Sequence, residues 1–130
     1  MAEEQPAVAV LLRRESDRAL SAEGWAIYSE VRREVPAAYV DLAQLGFCSP
    51  ATVGDPDNHR LKAAALAAVW RTYRAAGSQV LVLCGRVDTG VDVQRYAEAV
   101  AGVPLAVFET PSSGDVAAIV QDVRDRLRLR

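Results

Sequence analysis

Seven polar side chains stand where an α/β protein could do chemistry: Arg14, Ser21, Asp41, His59, Arg60, Arg86 and Asp88. Arg14 follows the apolar run Ala7–Leu12, together with Arg13, and an arginine fork there suits an anion. Glu15 and Asp17 next door can instead neutralise it. Asp41 closes a second run, where its ordinary reading is a solvated residue at a strand end or a helix cap; a ligand contact is the alternative. His59 is the only histidine, hence the one ready acid–base group near neutral pH. No nucleophile motif accompanies it, and a polar first turn facing water is the more ordinary reading of His59, Arg60 and Lys62. Arg60 at a helix start could bind an anion. Arg86 and Asp88 follow a third run, where they could hold a ligand, pair with each other or cap the next helix. No catalytic residue is assigned. Cys48 and Cys84 lack metal or redox spacing, so no metal site is expected, and Cys84 reads as a small buried hydrophobe.

The motif for holding nucleotide phosphate is missing. A phosphate loop reads G-x-x-x-x-G-K-[ST]: glycines let backbone N–H groups wrap the phosphates, lysine adds a cation, and the hydroxyl holds magnesium. Here the first run is followed by Arg13-Arg14-Glu15-Ser16-Asp17-Arg18-Ala19-Leu20-Ser21-Ala22. No glycine precedes Gly24, and the one lysine of the chain is Lys62. A dinucleotide G-x-G-x-x-G is absent as well. No cofactor is therefore expected.

The elements that must position these residues are legible from periodicity. The runs Ala7–Leu12, Ala37–Leu42, Gln79–Cys84 and Val103–Phe108 are short, apolar on both faces and suited to buried parallel strands. Helical patterns span Ser16–Arg33, Asn58–Ala76, about Val91–Ala101, and a last stripe of Val116, Ile119, Val120, Val123 and Leu127. Asp57 and Asn58 are N-cap candidates for the second helix, with Gly77 as its stop; Ser112, Ser113 and Asp115 offer the cap of the last. Trp25, Trp70 and the tyrosines suit core or interface. The expected fold is α/β: a three-layer sandwich with a four-stranded, mostly parallel sheet and helices on both faces, one domain over 1–130. Ligands of such sheets sit beyond the carboxyl ends of the strands. The loop Gly46–Asp57 opens from that edge.

The chain has 130 residues, about half of them hydrophobic, and a net charge of −2. No basic patch with interleaved aromatics marks a nucleic-acid partner. No apolar run approaches the ~20 residues of a membrane span. The acidic, polar start is unlike a signal peptide, and a cytoplasmic setting with free thiols is expected.

Three segments in order carry a resemblance: Gly24-Trp25-Ala26-Ile27-Tyr28, AAYVDLAQLGF at Ala37–Phe47, and DPDNHRLKAAALAAVWRTYRAAG at Asp55–Gly77. Together they resemble bacterial P-loop proteins of the shikimate-kinase and nucleotide-kinase type, over about residues 7–110. In that family a Gly-rich loop precedes the Gly-Trp pair and the second strand reads D-L-D-Q-L-G. The resemblance puts the loop lysine at Leu20, its hydroxyl at Ser21, loop glycines at Ala19 and Asp17, and the second acid of D-x-D at Ala43. The arginine-bearing lid and further strand of the family have no counterpart after the fourth run. The resemblance thus implies a degenerate kinase-like domain that no longer transfers phosphate from ATP. It would act through a protein partner, a second copy of itself or a small anionic ligand. A small ATP-independent enzyme reusing the old substrate pocket and an atypical nucleotide-binding protein are the alternatives.

Overall fold

The computed structural model describes residues 6–13, 20–50, 53–109 and 115–129; the side chains of Leu20 and Ser21 are not described. Four strands form the sheet: β1 Val8–Arg13, β2 Ala37–Asp41, β3 Val80–Gly85 and β4 Leu105–Glu109. All described pairings are parallel, in the order β2-β3-β1-β4. Each strand lies one or two residues from its apolar run. β1 and β3 are central, and from Val8 to Leu12 and Val80 to Gly85 every residue is buried. That explains why both runs are apolar at every position instead of at alternate ones.

The pleat divides these side chains between two cores. Val8, Val10, Leu12, Val80, Val82 and Cys84 face Ile27 and Val31 of α1 (Leu20–Val31) and Ile119 and Val123 of α5 (Val116–Arg126). Ala9, Leu11, Leu81 and Leu83 face Leu66 and Trp70 of α3 (His59–Ala75) and Tyr96 and Val100 of α4 (Gly90–Ala99). A short α2 (Leu42–Leu45) follows β2 directly. Each fully buried Leu or Ile in these layers contributes about 1.5–3 kcal/mol.

Two glycines set the geometry. A Cβ on Gly24 would meet Tyr39 Cε2 at 2.9 Å, so the glycine is what lets α1 lie directly on the sheet at Tyr39 and Cys84. Gly77, at φ +108°, ends α3 as a Schellman cap: its N–H bonds the Arg74 carbonyl and the Ser78 N–H bonds that of Tyr73.

The N-terminus of α3 departs from expectation. Asn58 holds the N-cap position with φ 56° and makes no side-chain cap bond. Asp55 does the capping instead: its carboxylate accepts the N–H of Arg60 at 2.9 and 3.1 Å and that of Leu61 at 3.2 Å. The 3-10 turn Pro56–Asn58, with Asp57 and Asn58 both left-handed, folds the chain back so that Asp55, three residues before the N-cap position, reaches the helix mouth. Asn58 is used elsewhere, donating to the Gly46 carbonyl at 3.2 Å. For α5, Asp115 stands at the cap position without a side-chain cap bond, while Ser112 and Ser113 lie outside the described residues.

Candidate functional site

The connection from β1 leads through α1 on one face of the sheet, and that from β3 through α4 on the other. A crevice between the carboxyl ends of β1 and β3 is the site this topology offers. Arg13, Gly85 and Asp41 are the last residues of β1, β3 and β2 at that end of the sheet, with the Leu42 side chain lying over Gly85. Arg14 and the rest of 14–19 lie outside the described residues, as does the Ser21 side chain.

Most polar groups on this edge are held by one another. Arg13 pairs with Glu109 at 3.0 Å, its register partner on β4. Asp41 is half-buried and caps α2, its Oδ1 accepting the Ala43 N–H at 3.0 Å. Arg86 Nε donates to Asp88 Oδ2 at 3.1 Å. Val87 between them is buried, so both charged side chains fall on the solvent side. Helix α4 is capped by Thr89 and not by Asp88: the Thr89 hydroxyl accepts the Asp92 N–H at 3.1 Å and donates to Asp92 Oδ2 at 2.9 Å.

His59 does not face water. It is 4% exposed, its Nδ1 lies 2.7 Å from the Tyr96 hydroxyl, and its Nε2 lies 3.8 Å from Asp92 Oδ2. The two rings meet edge to face at 5.6 Å. The cluster ties the start of α3 to α4. Tyr96 is wholly buried, and desolvation, followed by the charges of Asp92, Asp55 and Asp57, pushes its phenol well above the ordinary value. Asp55 is buried too. Desolvation raises its carboxyl, but the N–H groups of Arg60 and Leu61 and the charges of Arg60 and His59 outweigh that, leaving it below the usual range. Arg60 is exposed, while the Lys62 stem lies across Gly46. His59, Arg60 and Lys62 therefore point three ways and form no common site.

Sequence reasoning missed three features. Tyr39 Oη sits 3.2 Å from Cys84 Sγ, and burial, then this bond, raises the phenol, which stays protonated. Tyr96 and Asp92 give no local signal, because their partner His59 is far away in sequence. Glu23 occupies the first turn of α1, and its Oε2 is buried with no hydrogen-bond partner among the described residues. A carboxylate there takes the positive end of the helix dipole. Cys84 is buried as expected, and Cys48 is exposed. Among the described residues, no group of three His, Cys, Asp or Glu side chains converges as a metal site. No described helix is long and apolar enough to cross a membrane.

No protein-family model matches the chain, and no curated protein matches it significantly. Among solved structures it is similar to the Mycobacterium tuberculosis APS kinase CysC, in a cysteine-to-alanine mutant. The TM-score is 0.65 at 14% sequence identity, over 95% of this chain and 98% of that one. At that identity the likeness is one of fold: a four-stranded parallel sheet between helices, arranged as in a P-loop kinase.

Proposed function

We propose that this chain is a kinase-like binding domain that engages a protein partner or a small ligand and does not transfer phosphate from ATP. One observation carries the reading. The family resemblance places the lysine of a phosphate loop at Leu20, the first described residue of α1, and residues 14–19 before it contain neither glycine nor lysine. Three acids surround that position in sequence, Glu15 and Asp17 before the helix and Glu23 in its first turn. They offset the charge of Arg13, Arg14 and Arg18, so the stretch carries no net positive charge to attract a polyphosphate. The one lysine belongs to α3 and packs on Gly46. Engagement of Asp41, His59, Arg86 and Asp88 in intramolecular bonds supports the same reading.

Calorimetry with magnesium and ATP tests it. No heat at about millimolar nucleotide is the expected result, a thousandfold weaker than a micromolar site. Saturable binding, or phosphate transfer to any acceptor, would overturn it. An ATP-independent enzyme reusing the pocket has one group in its favour, the exposed guanidinium of Arg60.

A further inference from the structure

The β2 edge of the sheet carries features that the crevice does not explain. Among the described strands β2 pairs only with β3. Pro36 turns its carbonyl toward β3, accepting from Gln79 and Val80, so alternation turns the backbone of Ala37 and Asp41 to the other side. Edge strands are ordinarily protected by shortness, proline, charge or a bulge. This one is short, follows Pro36 and ends on Asp41, but it has no lysine, and its register with β3 runs without a bulge, so the stretch Ala37–Val40 can still pair.

The flanks of the edge are aromatic. Trp25, 55% exposed, stacks with Tyr28 at 5.1 Å and Tyr39 at 5.6 Å on the α1 side, and Tyr73 stands on the α3 side. Between them the small side chains of Ala37 and Ala38 leave a groove of about 280 Å³. Such aromatics, partly wet and rigidly held, are the side chains most enriched where proteins meet.

Charge indicates the occupant. The Arg32 guanidinium lies over the Tyr28 ring, 5.8 Å from its centre, in the turn that leads into β2, and Asp41, whose Oδ1 caps α2, stands at the end of the strand. Ala37, Tyr39 and Asp41 share the face that α1 covers, because they alternate with Ala38 and Val40 of the other core. An antiparallel two-fold contact centred on Tyr39 sets Ala37 opposite Asp41 of the partner subunit, and so brings the turn carrying Arg32 toward the carboxylate of the partner's Asp41, twice by symmetry. A parallel approach would instead set like charges side by side. We propose that a second copy of this chain docks on the β2 edge antiparallel, joining the two sheets, with Trp25 and Arg32 as the side chains that fix the contact. This takes up the partner side of the function proposed above.

Sedimentation equilibrium of the full chain tests it, with amide hydrogen exchange at low and high concentration. The expected result is a dimer in which the Ala37 and Asp41 amides gain protection with concentration. Trp25→Glu and Arg32→Glu should each weaken association about tenfold or more, as for a contact at an interface centre. Both residues are exposed enough that circular dichroism should remain unchanged. Ala37→Lys, an edge lysine, should do the same by a separate route. A monomer at every concentration overturns the proposal, as does a dimer indifferent to all three variants, or a monomer whose β2 amides are protected by a copurifying peptide. No readout involves nucleotide, so loss of this proposal and loss of the non-phosphotransfer reading are separately visible.

Discussion

The carboxyl edge of the sheet and the β2 edge differ in what their side chains are doing. At the carboxyl edge, Arg13, Asp41, His59, Arg86 and Asp88 are all bonded within the molecule. At the β2 edge, aromatic surface and strand backbone face outward. An active site usually keeps polar groups poised for a substrate; an interaction surface keeps apolar area in reserve. By that criterion the described part of the second region has the features of an interaction surface, although the fold itself points to the first.

The largest effect should come from the buried network beside the crevice. Tyr96→Ala empties a wholly buried site and should cost about 3–5 kcal/mol in chemical denaturation. Tyr96→Phe leaves His59 Nδ1 without its 2.7 Å partner and should cost about 1–3 kcal/mol. If both were neutral, the carboxyl edge would have to be regarded as loosely built and open to ligand.

Asp55→Ala removes the cap of α3 and should cost about 1–2 kcal/mol. The effect carries a pH signature. The folded carboxyl lies below its unfolded value, so its contribution is present above the ordinary carboxylate range, ~4, and is lost as pH falls through the depressed value. Acid unfolding of the parent should therefore show a step that the variant lacks.

Tyr39 and Tyr96 give the alkaline counterpart. Their folded phenols are raised, so their contribution is whole below ~10 and is lost as pH rises beyond it. Phenolate absorbance should show two tyrosines ionising only with unfolding, one in each region.

The smallest effects should fall on exposed groups, and they separate the regions most sharply. Arg86→Ala breaks a pair in which both partners are about half exposed and should change stability by ~0–1 kcal/mol. Trp25→Ser should likewise cost the monomer about 1 kcal/mol or less, yet weaken self-association measured by light scattering. Equal silence of both variants in that measurement would erase the distinction between the edges.

Much of this architecture is legible in the sequence. Val8–Leu12 and Val80–Cys84 are apolar throughout because both faces of a central parallel strand are covered, and composition alone reveals that. The missing glycines and lysine before α1 are likewise a property of the sequence, since a phosphate loop needs particular residue types wherever the chain runs. What tertiary structure decided is which polar groups meet. His59 looked like a solvated helix start, but α4 brings Tyr96 and Asp92 over it. Arg13 acquires Glu109 as a partner through strand register, from the far end of the sequence. Asp57 and Asn58 looked like caps until a left-handed turn delivered Asp55 in their place. All four runs read alike as buried strands in the sequence, and it is the strand order, with Pro36 before β2 and Asp41 at its end, that makes β2 an edge. Residue type fixes what a side chain can do; only the path of the chain through space fixes what it does it to.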